Sequence, residues 1–172
     1  VSKATTTQQQ LFLKKHPAPS IYAIAMHTSE YYRNHCLRHI NSERMCIAEL
    51  EVTACYEPFD DMVLYLIDDK ALTTIHSLLP PHHNGALSYD FDHYAIALPI
   101  NQLETMKDFF IEHFNFQQIY SLDIDTGQSG MRSTAIADQD IHIRMPLVAP
   151  LGEESQVQQF LEQNHGQGVQ HI

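Results

Sequence analysis

Two histidines stand where metal chemistry could be built. Read as extended chain, Phe91 to Leu98 places His93 on the same face as Ala95 and Ala97, so an imidazole is flanked by residues too small to fill the space beside it. That pattern predicts a cavity next to the ring nitrogen. His171 enters another short strand, Val169-Gln170-His171-Ile172, with glycines just upstream that let the backbone approach closely. Two neutral imidazoles from separate strands, completed by one carboxylate, make the facial triad that holds non-haem Fe(II) and leaves positions open for substrate and oxygen. The alternative is two core histidines, each satisfied by ordinary hydrogen bonds.

The elements that must position these residues follow from periodicity and punctuation. Residues 1–19 combine the polar tract Thr5 to Gln10 with His16-Pro17-Ala18-Pro19 and read as a frayed end and entry turn. Ile21 to Met26 reads as a strand buried on both sides, followed by a helix capped at Thr28 or Ser29 and running to about Ile40. Met45 to Tyr56, broken near Glu49 to Glu51, and Met62 to Ile67 give two or three strands, and Leu72 to Leu79 a short helix. Pro80-Pro81 and His82-His83-Asn84-Gly85 then mark a module boundary.

After that boundary the order repeats. Phe91 to Leu98 is a strand, and Asn101 with Glu104 gives a capping box ahead of Leu103, Met106, Phe110 and Phe114 at helical spacing. Strands follow at Phe116 to Ile124, Met131 to Ala137 and Ile141 to Leu147, then a helix capped by Ser155 with Gln158. Tyr22-Ala23-Ile24-Ala25-Met26 and Tyr94-Ala95-Ile96-Ala97-Leu98 share nearly the same letters, so β-α-β-β-β followed by the same again is an internal duplication. Two such units close a cavity between sheets.

Composition bounds the partners. The 172 residues carry 10 Lys plus Arg against 21 Asp plus Glu, a formal charge of −11, which disfavours nucleic acid because phosphate binding is driven by Lys and Arg. No apolar run approaches the ~18 residues that cross a bilayer, and Val1 to Gln10 is not signal-like, so a cytoplasmic protein with no membrane partner is expected. Cys36, Cys46 and Cys55 lack metal or redox spacing and read as buried reduced thiols. His82-His83 reads as a solvated linker, Asp60-Asp61 and Asp68-Asp69 as turns bracketing a strand, and Arg144 as an exposed strand residue.

The stretch Asp90 to Ile172 resembles the catalytic domain of the 4-hydroxyphenylpyruvate dioxygenase family in the vicinal oxygen chelate (glyoxalase/bleomycin resistance) superfamily. The resemblance rests on Phe91-Asp92-His93, Thr126-Gly127 with Ser129-Gly130-Met131-Arg132-Ser133, Arg144-Met145-Pro146-Leu147, Ser155-Gln156-Val157-Gln158-Gln159-Phe160-Leu161, and Gly168-Val169-Gln170-His171-Ile172. Phe12 to Asp68 resembles the later part of the family's non-catalytic amino-terminal domain. The resemblance implies an α+β fold of paired βαβββ modules with curved mixed sheets. It divides the chain into 1–79, a linker at 80–90, and 91–172 as the first half of a catalytic domain.

By the same resemblance, His93 and His171 match the two iron-binding histidines, and Ser133, Gln156 and Gln170 match polar residues lining the substrate pocket. The implied activity is Fe(II)-dependent oxidation of an aromatic 2-oxo acid by O2, as in tyrosine catabolism; a homo-oligomer is expected separately, because a half-domain ending in open sheet edges tends to pair with another copy. No residue is matched to an acid, base or nucleophile. Gln170, next to a ligand but on the opposite face of its strand, needs a bent or bulged backbone to reach substrate.

Two departures qualify the match. The family's glutamate ligand has no counterpart before Ile172, so the sequence reads as a partial chain, and Asp92 or Asp123 would replace it only by accident. Val148 stands where family members acting on 4-hydroxyphenylpyruvate carry asparagine, which leaves the substrate open. The rival readings are a dioxygenase-like domain holding another divalent metal, such as one fused to a dehydroshikimate dehydratase, and a small-molecule binding module without catalysis.

Overall fold

The structure, a computed structural model, describes residues 7–16, 19–78, 92–125, 127 and 129–172. The expected linker at 80–90, with His82-His83, lies outside the described residues, as do Phe91 and Thr126. The chain divides into two units, one holding the described residues of Ala23–Glu57 and Val63–Phe91, the other those of Val1–Tyr22, Pro58–Met62 and Asp92–Ile172.

In the first unit, β1 (Ala23–His27) leads to α2 (Glu30–His39), then β2 (Ser42–Ile47), β3 (Leu50–Cys55), β4 (Val63–Ile67) and α3 (Asp69–Leu78). The sheet order is β1-β4-β3-β2, with β1 parallel to β4 and the other pairs antiparallel. The β2–β3 hairpin turns through Ala48 and Glu49 at φ 45 and 74, the left-handed pair that a two-residue turn needs to match strand twist. Val52 and Ile67 pack with Ala71 of α3, and Leu72 and Ile75 extend that contact. Cys55, of opposite parity to Val52 on β3, brings its thiol to Cys36 of α2, whose hydrogen bond holds the Cys36 thiol below its ordinary pKa. The strand expected to be buried on both sides is instead an edge strand, and only Met26 of β1 is buried.

The second unit repeats the plan. β5 (Ala95–Ala97) is followed by a 3-10 turn (Ile100–Gln102), α4 (Leu103–Phe114), β6 (Gln117–Asp125), β7 (Gly130–Ala137), β8 (Arg144–Pro150), α5 (Gln156–Gln163) and β9 (Gly168–His171). Its sheet order β6-β7-β8-β5 mirrors the first, again with the opening strand parallel to the fourth, and β9 adds to the free edge of β5 antiparallel. The duplication inferred from the two near-identical strand sequences is therefore a duplication of topology. The mixed sheets with flanking helices are the expected α+β arrangement.

Several boundaries moved for physical reasons. The opening segment, expected to be frayed, contains α1 (Thr7–Lys15), because Phe12 and His16 lie one turn apart, stack at 4.1 Å between ring centroids and are both buried. His16 Nε2 reaches Asp61 Oδ2 at 2.9 Å, which ties α1 to the Pro58–Met62 segment of the same unit. The capping box at Asn101 and Glu104 does not form: Gln102 is the cap position, without a side-chain bond, and Glu104 pairs with Lys107. Ser155 does cap α5, accepting from the Val157 amide at 3.2 Å, while Gln158 reaches Glu162 instead. The strand expected from Ile141 starts at Arg144, since Ile141 sits at φ 60 and the Ile143 amide donates to Asp138 Oδ1 at 2.7 Å.

Candidate metal centre

The β5–β9 pairing builds the site. Ala95 lies opposite His171, and directly opposed residues share a sheet face; His93, two residues before Ala95, is carried onto that face as well. Both imidazoles thus come from one face of the second unit. Their Nε2 atoms stand 3.4 Å apart, with ring centroids at 5.4 Å and planes at 84°. Two nitrogens bonded to one ion at ~2.1 Å stand ~3.4 Å apart at a tetrahedral angle and ~3.0 Å apart at the octahedral angle of a facial triad, so the observed spacing matches the first and needs a small closure for the second. The donor pair fits a shared divalent cation.

The other nitrogen of His93 is already engaged. Nδ1 lies 2.6 Å from Asp92 Oδ2, and the second oxygen of Asp92 accepts from Arg144. The hydrogen bond from His93, followed by the charge of Arg144, holds the Asp92 carboxyl below the ordinary carboxylate value. An ionised carboxylate only accepts, so Nδ1 carries a proton and faces Asp92, while Nε2 is the ring nitrogen turned toward His171. Asp92 therefore addresses the back of the imidazole and is not a donor beside Nε2. Asp123 is committed elsewhere, pairing across β6 and β7 with Arg132 through two bonds of 2.7 and 2.9 Å. Among the described residues no group of three His, Cys, Asp or Glu is arranged to hold a metal.

The β5–β9 register jumps from Ala95↔His171 to Ile96↔Val169, which leaves Gln170 as the inserted residue of a β-bulge. The backbone irregularity that Gln170 requires is present, and its side chain is half-buried. Ser133 is buried on β7, opposite Val148, which in turn lies opposite Ala97, so Ser133 shares the histidine face. Gln156 is exposed in the first turn of α5, and its amide donates to Ser129 Oγ at 3.0 Å.

The space inferred beside the small residues is partly filled. Ala97 and Val148 pack against Val157 and Leu161 of α5, with Met131 and Phe160 around them, so this helix occupies the room next to Ala97. Local strand alternation cannot foresee a helix that follows more than fifty residues later. Val148 is thus a member of an apolar cluster and not a surface facing open space. Arg144 is exposed, as expected, and there pairs with Asp92. The parallel β5–β8 register carries the signal for this: counting three residues back from the pair Ile96↔Leu147 gives His93 beside Arg144.

The repeated unit, with this sheet order, defines the vicinal oxygen chelate fold. Over 97% of its length the chain superposes with a TM-score of 0.70 on 51% of a mutant 4-hydroxymandelate synthase from Streptomyces coelicolor, at 21% identity. It is 24% identical over 182 residues to an uncharacterized protein of Synechocystis, covering 99% of this chain and 50% of that protein. It is 33% identical over 86 residues to the 4-hydroxyphenylpyruvate dioxygenase of Sus scrofa, covering 47% of this chain and 22% of that enzyme. No protein-family profile matches the chain. Over part of its length the chain is thus similar to 4-hydroxyphenylpyruvate dioxygenases, and its fold is that of the vicinal oxygen chelate proteins. The chain spans half the length of the first of these relatives and less of the second. Among the described residues no helix is long and apolar enough to cross a membrane.

Proposed function

We propose that the chain belongs to an Fe(II)-dependent dioxygenase acting on an aromatic 2-oxo acid, with His93 and His171 as two of the protein ligands. The observation that carries this reading is the Nε2 separation of 3.4 Å between imidazoles on one sheet face. In this reading 1–79 is the later part of a non-catalytic amino-terminal domain and 91–172 the first half of the catalytic one. Its partners are a small 2-oxo acid and O2, in a cytoplasmic homo-oligomer serving tyrosine catabolism.

Bound iron would activate O2, the electrons that reduce the O2 coming from the oxidative decarboxylation of the 2-oxo acid itself. The chain's own residues do the rest. His171 faces the site from β9 and His93 from the segment just before β5, and Asp92 keeps the Nδ1 proton away from the ligating nitrogen. Ser133 offers a buried hydroxyl on the same face, and the bulge at Gln170 turns its amide out of strict strand alternation toward substrate. The apolar cluster of Ala97, Val148, Val157 and Leu161 excludes water from one side of the site. The third ligand is a carboxylate in this reading, and none of the described residues stands in that place.

The test is oxygen uptake by the anaerobically Fe(II)-loaded protein on addition of 4-hydroxyphenylpyruvate. Oxygen consumption matched by CO2 release, and absent from His93→Ala, supports the reading. Stoichiometric iron without oxygen uptake for any aromatic 2-oxo acid contradicts it. That result would favour a binding module, the reading to which the buried apolar Val148 lends weight.

A further inference from the structure

The first candidate ligand sits at the end of a three-residue chain of contacts that no metal-binding motif requires. Asp92 uses Oδ2 for His93 Nδ1 at 2.6 Å and Oδ1 for Arg144. The two oxygens are therefore held from opposite sides, one by the imidazole and one by a guanidinium on the neighbouring parallel strand. We propose that the Arg144–Asp92 pair is a positioning device that fixes the His93 ring in the tautomer whose Nε2 is free to ligate. This rests on the reading of His93 as a metal ligand.

The physical need is specific. A neutral imidazole in water favours the tautomer with its proton on Nε2, which leaves no lone pair there for a cation. An acceptor at Nδ1 reverses that preference, and a carboxylate does so more strongly than a neutral oxygen because the bond is charge-assisted. Asp92 precedes His93 directly in the chain and is largely exposed, so alone it would sample several rotamers, each holding the ring differently. Arg144 removes that freedom: it stands at the start of β8, level with His93 in the extended β5–β8 register, and its planar fork fixes the second carboxylate oxygen. Asp92 contacts His93 at Nδ1, the ring nitrogen away from His171, and Arg144 contacts Asp92. Their effect passes entirely through the orientation and protonation of His93. Such outer partners of metal-bound histidines are worth about 10–100-fold in metal affinity.

The experiment joins two readouts on the full chain at neutral pH. Long-range 1H–15N correlation spectra of the metal-free protein report the protonated nitrogen of each histidine ring, assigned for His93 by loss in His93→Ala. Anaerobic titration with Co(II), followed by its visible absorption, reports affinity. In the wild type the His93 proton is expected on Nδ1. In Asp92→Ala it moves to Nε2, and Co(II) affinity falls by about 10–100-fold. Asp92→Asn, which keeps an acceptor oxygen, restores the Nδ1 proton and part of the affinity, whereas Arg144→Gln gives a smaller loss than Asp92→Ala. A lost fold shows as collapsed amide dispersion in the same spectra, and Asp92→Asn then decides: an Nδ1 proton supports the proposal, an Nε2 proton overturns it. Unchanged tautomer and affinity in Asp92→Ala, with binding lost in His93→Ala, would overturn the proposal alone. Wild-type affinity in His93→Ala would overturn the metal reading and the proposal with it.

Discussion

The Nε2 atoms of His93 and His171 stand 3.4 Å apart although the residues are 78 positions apart in the chain. The approach is set by β9 pairing with the edge of β5, at one end of the β6-β7-β8-β5 sheet. Edge addition is thus what turns a lone strand histidine into one of a pair.

Val148 decides how much polarity this region tolerates. It is 4% exposed and lies between Ala97 and the α5 residues Val157 and Leu161. Val148→Asn, which writes back the family's amide, would bury a polar group among apolar neighbours and should cost about 1–3 kcal/mol of stability. Urea unfolding followed by circular dichroism checks this; an unchanged midpoint would mean that the amide finds a partner in the site.

Gly168 should resist even a methyl group. A Cβ there would lie 2.5 Å from Asn164 Nδ2 and 3.4 Å from Phe160 Cζ. Asn164 cannot easily retreat, because Nδ2 donates to the Gly166 and Gln167 carbonyls at 3.2 and 2.9 Å and Oδ1 accepts from Ser20 at 2.7 Å. Gly168→Ala should destabilise by about 1–3 kcal/mol and loosen the start of β9. Faster amide exchange at Val169 and His171 is the expected signature; wild-type protection would contradict it.

Asp68 caps α3 and carries a pH dependence. Its Oδ1 accepts from the Ala71 amide at 2.8 Å, and that bond, with Arg33 nearby, holds its carboxyl below the ordinary value of 3.8. A depressed carboxyl stabilises the fold fully above its unfolded pKa, and the contribution is lost as pH falls through the folded value. Asp68→Ala should cost about 1 kcal/mol at neutral pH, as cap removal does elsewhere. The difference from wild type should shrink as pH falls through the lowered folded value, below which both states bind the proton. Paired urea titrations across that range test it, and a difference that grows on acidification would contradict the account.

Much of this arrangement was legible in the residues. The twin strands beginning at Tyr22 and Tyr94 announced a duplicated unit, and strand parity put His93 on the face of Ala95 and Ala97. The demand that Gln170 sit on irregular backbone is met by the bulge between Ala95 and Ile96. What escaped depends on tertiary contacts. Thr7 to Gln10 offers no helical stripe, yet α1 forms because Phe12 and His16 are buried against the second unit's own residues. Alanines that suggest empty space say nothing of the helix that fills it, as α5 does over Ala97. Arg144 is exposed as strand alternation predicts, but its pairing with Asp92 escaped because that residue is distant in sequence and close only through parallel strand register.

The most direct test of the central claim is anaerobic equilibrium dialysis of the protein against Fe(II), comparing wild type with His93→Ala, His171→Ala and, as a control on the exposed face of α3, His76→Ala. The account predicts that wild type and His76→Ala bind iron alike, whereas either site variant binds at least about 10-fold more weakly, since each removes one of the two facing donors. Equal binding by all four proteins would contradict it, and would make the facing imidazoles of His93 and His171 a packing contact.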